Sequence, residues 1–153
     1  MIIKSVNLFK NNSFREKKVL SIDFGLKKLG FAYSNHDQTI AFPHVSLRRA
    51  DHDSDLIQIK NILISLNIDI IVVGLPFNND RGVSKTYQQV KSFANLLVKN
   101  FDIDLFFWDE RFTTTQAQKF LKSEGLTGKE ADKFDDIIAA QIILDSFLQF
   151  KNS

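Results

Sequence analysis

The chain contains no cysteine. That excludes a disulfide framework, a thiol nucleophile and a cysteine-ligated zinc. Histidine is scarce too: His36, His44 and His52 stand at no ligand spacing and read as surface or loop residues. No apolar run reaches the roughly 18 residues a membrane span needs. The opening stretch Met1 to Phe9 is interrupted by Lys4 and Asn7 and lacks the apolar core of a signal peptide. The expectation is a cytoplasmic protein with no membrane partner.

What is present is an ordinary globular balance. The 153 residues are 44% hydrophobic and 25% charged, enough for one domain with a real core. The 15 phenylalanines read as a compositional habit rather than a functional sign. The net charge of +2 is unevenly spread: residues 1–18 hold five cations, Lys4, Lys10, Arg15, Lys17 and Lys18, against Glu16, so +4 lies there and −2 in the other 135 residues. Residues 1–17 are expected to form a basic N-terminal extension, either a solvated, mobile tail or an arm that follows a phosphate backbone. Residues 18–150 are expected to form a single domain.

Patterning along that domain changes once. Val19 to Asp23, Leu29 to Ser34 and Thr39 to Leu47 read as three strands joined by short turns, an antiparallel meander. Pro43 inside the third places it at a sheet edge. Asp53 or Ser54 can then cap a helix with apolar positions at Leu56, Ile59, Leu63 and Leu66. Ile68 to Val73 is an unbroken apolar run, as in a strand buried on both faces. Gly74 to Gly82 reads as a loop, and Val83 to Leu97 as a second helix. Leu105 to Trp108 is another buried strand, ending at Asp109-Glu110. Thr113 to Ser123 reads as a short helix and Asp132 to Phe150 as a long one. The order β-β-β-α-β-α-β-α-α predicts an α/β fold: one mixed five-stranded sheet with helices on its faces.

The acidic residues fall at telling places. Asp23 ends the first strand and Glu110 follows the last. In an open sheet the carboxyl ends of parallel strands face one crevice, so the two can share a site despite their separation in sequence. Both follow apolar runs, and an anion near low-dielectric core calls for a cation; Lys27, Arg111 or a bound metal could supply it. On the last helix Asp136 shares a face with Ala139, Ala140 and Ile143, and Asp135 has a similar claim through Ile138, Ala139 and Ile142. Carboxylates as the only strong ligands suit a hard cation, Mg²⁺ or Mn²⁺. Two such ions can assist in-line phosphoryl displacement. Asp23-x-Gly25 alone would also suit the phosphate loop of an actin-like ATPase.

The stretch Ile22-Asp-Phe-Gly-Leu-Lys-Lys-Leu-Gly-Phe-Ala-Tyr-Ser34 resembles the opening motif of the YqgF-type family of Holliday-junction resolvase-like proteins and pre-16S rRNA nucleases. Val73-Gly-Leu-Pro-Phe-Asn78, Asp109-Glu-Arg-Phe-Thr-Thr114 with Ala117, and Asp136-Ile-Ile-Ala-Ala140 with Ile143-Leu144 match its other motifs in order, over about residues 18–150. The resemblance implies a ribonuclease-H-like fold and a metal-dependent nuclease of the two-metal-ion type. It implies Asp23, Glu110 and Asp136 as catalytic metal ligands, which decides for Asp136 over Asp135. The implied substrate is nucleic acid, with a ribosomal RNA precursor, trimmed at its 5′ end, preferred over branched DNA. A resolvase-like DNA endonuclease and a non-catalytic nucleic-acid-binding module are the alternatives.

Gly25, Lys27, Lys28, Arg81, Lys85, Arg111 and Thr114 are the expected nucleic-acid contacts. Two positions depart from the family pattern. Lys28 stands where an Arg is usual and keeps the charge without the bidentate fork. Asn35 stands where an Asp is usual and removes a negative charge.

Overall fold

The computed structural model describes residues 1–76, 85–110 and 129–153, and the side chains of these apart from Lys85 and residues 129–135. In chain order the elements are strands Ile2–Ile3 (β1), Val19–Phe24 (β2), Lys28–Ser34 (β3) and Ala41–Arg48 (β4), helix His52–Ser65 (α1), strand Ile70–Leu75 (β5), helix Lys85–Asn100 (α2), strand Asp104–Asp109 (β6) and helix Lys129–Lys151 (α3). The helix expected over Thr113 to Ser123 lies outside the described residues.

The strands form one sheet in the order β1-β6-β5-β2-β3-β4. β2, β3 and β4 are the antiparallel meander. β5 and β6 add in parallel beside β2, as alternating strands and helices require. Pro43 sits in β4, the edge strand, where its missing N–H costs no ladder bond.

The sheet has six strands rather than the expected five. Ile2 and Ile3 pair in parallel with Leu105 and Phe106, and the Leu105 N–H donates to the Met1 carbonyl at 2.9 Å. The N-terminal segment is thus packed onto the domain rather than standing apart from it. Its apolar residues supply the reason. Phe9 is fully buried, stacked on Phe147 at 4.4 Å and edge-on to Phe106 at 5.4 Å, and Phe14 joins the same cluster. Charge counting hides this, because the basic residues of the segment alternate with phenylalanines that face inward. Several of the phenylalanines therefore build the core on this side.

Two apolar layers sandwich the sheet. On one face Val19, Ala32, Ile70, Val72, Phe106 and Trp108 meet Ala140, Ile143, Leu144 and Phe147 of α3. On the other, Leu20, Ile22, Leu29, Phe31, Ile71 and Val73 meet Ile59 of α1 and Val90, Phe93, Ala94 and Leu97 of α2. Strand alternation therefore assigns a face to every residue of β2: Val19, Ser21 and Asp23 look toward α3, and Leu20, Ile22 and Phe24 look away. The run Ile70–Val73 is buried throughout, as a central parallel strand should be.

The α1 cap is Asp51 rather than Asp53 or Ser54. Its carboxylate accepts from the Ser54 backbone N–H at 2.8 Å and from the Ser54 hydroxyl at 3.1 Å. These bonds hold the Asp51 carboxyl below the usual carboxylate range. Asp53 and Asp55 occupy the first turn instead, where negative charge favours the helix dipole.

Candidate active site

Asp23 lies in β2, one residue before its end, and Asp109 closes β6 with Glu110 directly after it. β2, β5 and β6 run parallel, so their carboxyl ends share one rim. Across that rim Asp23 pairs with Gly30 on β3. On its other side, one residue beyond the pair Ile22–Val73, stands Gly74 of β5. Asp23 therefore has a glycine on each flank, each one strand spacing away, about 4.8 Å.

The two glycines seat the other two acids. A Cβ at Gly30 would collide with the backbone carbonyl of Asp136 and come 2.9 Å from its Cβ. A Cβ at Gly74 would lie 2.7 Å from Glu110 Oε1 and 2.6 Å from Ile143 Cδ1. By alternation Gly30, Asp23 and Gly74 all face α3. Asp136 thus stands over one neighbour of Asp23 and Glu110 over the other.

Hydrogen bonds fix the helix at this height. Ser21 Oγ donates to the Ala140 carbonyl at 2.6 Å, buried in the core. Two residues along β2 from Ser21 is Asp23, and one turn back along α3 from Ala140 is Asp136. The two steps are alike, about 7 Å and 6 Å, so the helix carries Asp136 toward the rim at which Asp23 stands. Ser46, which pairs with Gly30 across β3 and β4, donates from Oγ to Asp136 Oδ2 at 3.2 Å. The side chain of Asp135 is outside the described residues.

Burial, and after it the charge of neighbouring Asp109, pushes the Glu110 carboxyl above the usual carboxylate range. A raised native pKa means that the folded protein holds the proton more tightly than the unfolded chain does. The resulting stability is full below the ordinary carboxylate pKa and is lost as pH rises through the raised value. Glu110→Gln should abolish this decline. In chelator, urea melts of the wild type should show stability falling across that window, and the variant should not follow. Parallel pH profiles would contradict the assignment.

The remaining expected contacts separate. Gly25 occupies the β2–β3 turn, where a Cβ would come 2.6 Å from the Lys28 carbonyl, so the close approach seen there is within the chain itself. Lys27 and Lys28 are exposed at the same turn. Asn35 lies at the far end of β3, about 17 Å along the strand from Gly30. Its Oδ1 accepts from the N–H groups of Thr39 and Ile40 at 2.9 and 3.0 Å, which makes it a turn residue. Arg81, Arg111, Thr114 and the side chain of Lys85 lie outside the described residues. Among the described residues no group of three carboxylate or imidazole side chains stands close enough to hold a metal ion. The same residues contain no helix long and apolar enough to cross a membrane.

Reading the sequence alone misses Ser21, Ser46 and the seats made by Gly30 and Gly74. A signal existed for two of them. Ser21 is a lone hydroxyl inside an apolar strand, which needs a partner once buried. Gly30 interrupts a strand of larger residues, which marks a close backbone approach. Ser46 and Gly74 depend on strand register and carry no such mark.

Comparison with known proteins gives the family of the chain. A family model described as RuvX: Holliday junction resolvase matches residues 17–150. A protein of Orientia tsutsugamushi (strain Ikeda), named "Putative pre-16S rRNA nuclease", is 37% identical over 97% of this chain and 94% of its own. One of the same name from Mesomycoplasma hyopneumoniae (strain 7448) is 38% identical over 88% of this chain and 95% of its own. Among solved structures, T. thermophilus RuvC in complex with a Holliday junction substrate superposes with a TM-score of 0.58 at 13% identity, over 88% of this chain and 95% of that one. The fowlpox virus resolvase in complex with Holliday junction DNA gives 0.50 at 14% identity, over 87% and 97%. At such identities the likeness shows the fold alone, which is ribonuclease-H-like. The matched model, which spans nearly all of the chain, and the relatives that share more than a third of its residues establish that this protein belongs to the RuvX (YqgF-type) Holliday junction resolvase family.

Proposed function

We propose that this chain is a cytoplasmic nuclease that hydrolyses phosphodiester bonds of structured nucleic acid, and that its substrate is the precursor of 16S ribosomal RNA, cut toward the mature 5′ end. The observation that carries the reading is the seating of Asp136 and Glu110 on the two glycines that flank Asp23. The family and the names of the relatives supply the substrate class.

By residue type the donor set suits a hard divalent cation: it consists of carboxylate oxygens alone. Asp23, Glu110 and Asp136 would hold Mg²⁺ or Mn²⁺, as a pair of ions. When bound, such ions make water a nucleophile at neutral pH and neutralise charge on the leaving oxygen. The chain's own part is placement. The Ser21–Ala140 bond sets the distance of α3 from the sheet, and Ser46 orients the Asp136 carboxylate. The glycine seats let Asp136 and Glu110 settle close to the strands that flank Asp23. Lys27 and Lys28 meet the backbone beside the turn, and Gly25 keeps that turn tight. Arg81, Lys85, Arg111 and Thr114 complete the proposed contact set from sequence.

The test is an assay on labelled pre-16S RNA, unrelated structured RNA and branched DNA, each with Mg²⁺, Mn²⁺ or chelator. Cutting of the ribosomal precursor is expected with either metal and none with chelator. Preference for branched DNA would move the substrate to a four-way junction. Salt-sensitive binding with no turnover on any substrate would make the chain a binding module and end the nuclease reading.

A further inference from the structure

Two cations on the carboxylate face oppose each other where a sheet would ordinarily avoid it. β3 and β4 pair Lys28 with Arg48, Leu29 with Leu47 and Gly30 with Ser46 in unbroken antiparallel register. Like charges set directly opposite on adjacent strands destabilise a sheet. Both side chains are exposed, and among the described residues neither forms an ion pair. Ser46 touches Asp136, so alternation puts Lys28 and Arg48 on the same face as the three acids. They stand two residues farther along their strands, about 7 Å from the Gly30 seat.

We propose that Lys28 and Arg48 form a two-cation clamp for a phosphate of the nucleic-acid backbone, next to the one presented to Asp23. The repulsion they suffer when empty is relieved by an anion between them. Their chemistries are complementary: Arg48 offers a planar fork that can grip two phosphate oxygens, and Lys28 a mobile point charge. The β3–β4 ladder fixes their spacing, so the clamp is pre-organised. Arg49, the next residue, has a different task. It bonds the Gly25 carbonyl at 3.2 Å and pairs with buried Asp55 at 3.4 Å, facing the opposite side of the sheet. The proposal rests on the reading that nucleic acid crosses this face, and its test does not require turnover.

Binding of a fluorescent structured RNA should be measured in chelator across 50 to 200 mM salt for the wild type, Arg48→Ala and Arg48→Lys, with Tm recorded for each. Each phosphate contact contributes about 0.9 to the slope of log affinity against log salt. Arg48→Ala should weaken binding by about tenfold at the lowest salt and reduce the slope by about 0.9, so that its deficit shrinks about 3.5-fold across the range. Arg48→Lys should keep the slope. Tm of Arg48→Ala should be equal to or above that of the wild type, because repulsion is removed; a purely structural arginine would lower it. Unchanged affinity and slope, or weaker binding accompanied by a fall in Tm, would overturn the clamp. Inorganic phosphate, at the phosphate concentration of the probe, should compete poorly; full displacement by it would assign the pair to free phosphate instead. A chain that never cuts yet shows the altered slope loses the nuclease reading and keeps the clamp.

Discussion

Asp23→Asn should lower nuclease activity by about 10³-fold or more, some 4 kcal/mol of transition-state stabilisation, and leave the fold intact. Asp23 is the middle acid of the rim, flanked by the seats of Asp136 and Glu110. Asn has nearly the same shape and keeps one carbonyl oxygen, so the β2–β3 ladder through Gly30 can persist. What it loses is the negative charge that makes a strong ligand for a hard cation. The variant should melt near the wild-type temperature in chelator, and should gain less from added Mg²⁺ than the wild type does. Activity is lost while Tm is kept, which separates a catalytic role from a structural one. Cutting within tenfold of the wild type would remove Asp23 from the mechanism.

Much of the frame is legible in the sequence because it rests on local periodicity. Alternation in Val19 to Asp23, the apolar run Ile70 to Val73 and the helical spacing around Ala140 each record which side of an element is buried. Pro43 marks the edge strand for a single reason, a missing donor. What escapes is set by tertiary register. β1 is two residues long, too short for any pattern, and its place beside β6 depends on Phe9 and Phe14 finding the core. The α1 cap lies at Asp51, earlier than Asp53 or Ser54, since three acids and a serine in five residues offer several starts. Gly74 reads as the first residue of a loop, yet it belongs to β5, and its missing side chain makes room for Glu110. The three acids are visible as strand ends and a helix face. That Asp136 sits against Gly30 and Glu110 against Gly74 is visible only in the fold, as is the opposition of Lys28 and Arg48.

Those glycines yield a further expectation. Gly30→Ala should destabilise the protein by about 3 kcal/mol, toward the upper end for overpacking, and lower Tm by roughly 6–12 °C. Alanine in a strand is ordinarily a gain, since it restricts the unfolded chain by about 0.4–1 kcal/mol. Here the added methyl meets the Asp136 backbone carbonyl rather than a pliable side-chain tip. Backbone on both sides leaves two ways out: β3 bends away from its neighbours, or α3 lifts from the sheet. The second strains the buried Ser21–Ala140 bond and the apolar layer behind it. Either way Asp136 moves relative to Asp23, and about 1 Å of misplacement can cost about 10²-fold in rate. Gly74→Ala is the informative contrast. Its methyl would meet Ile143 Cδ1 and Glu110 Oε1, the far ends of side chains that can rotate. It should cost less stability than Gly30→Ala and still impair cutting, because the atom it displaces is a carboxylate oxygen of the rim. Urea melts and rate measurements on the two variants check this, and a Gly30→Ala protein with wild-type Tm and rate would show that α3 does not rest on β3 at Asp136.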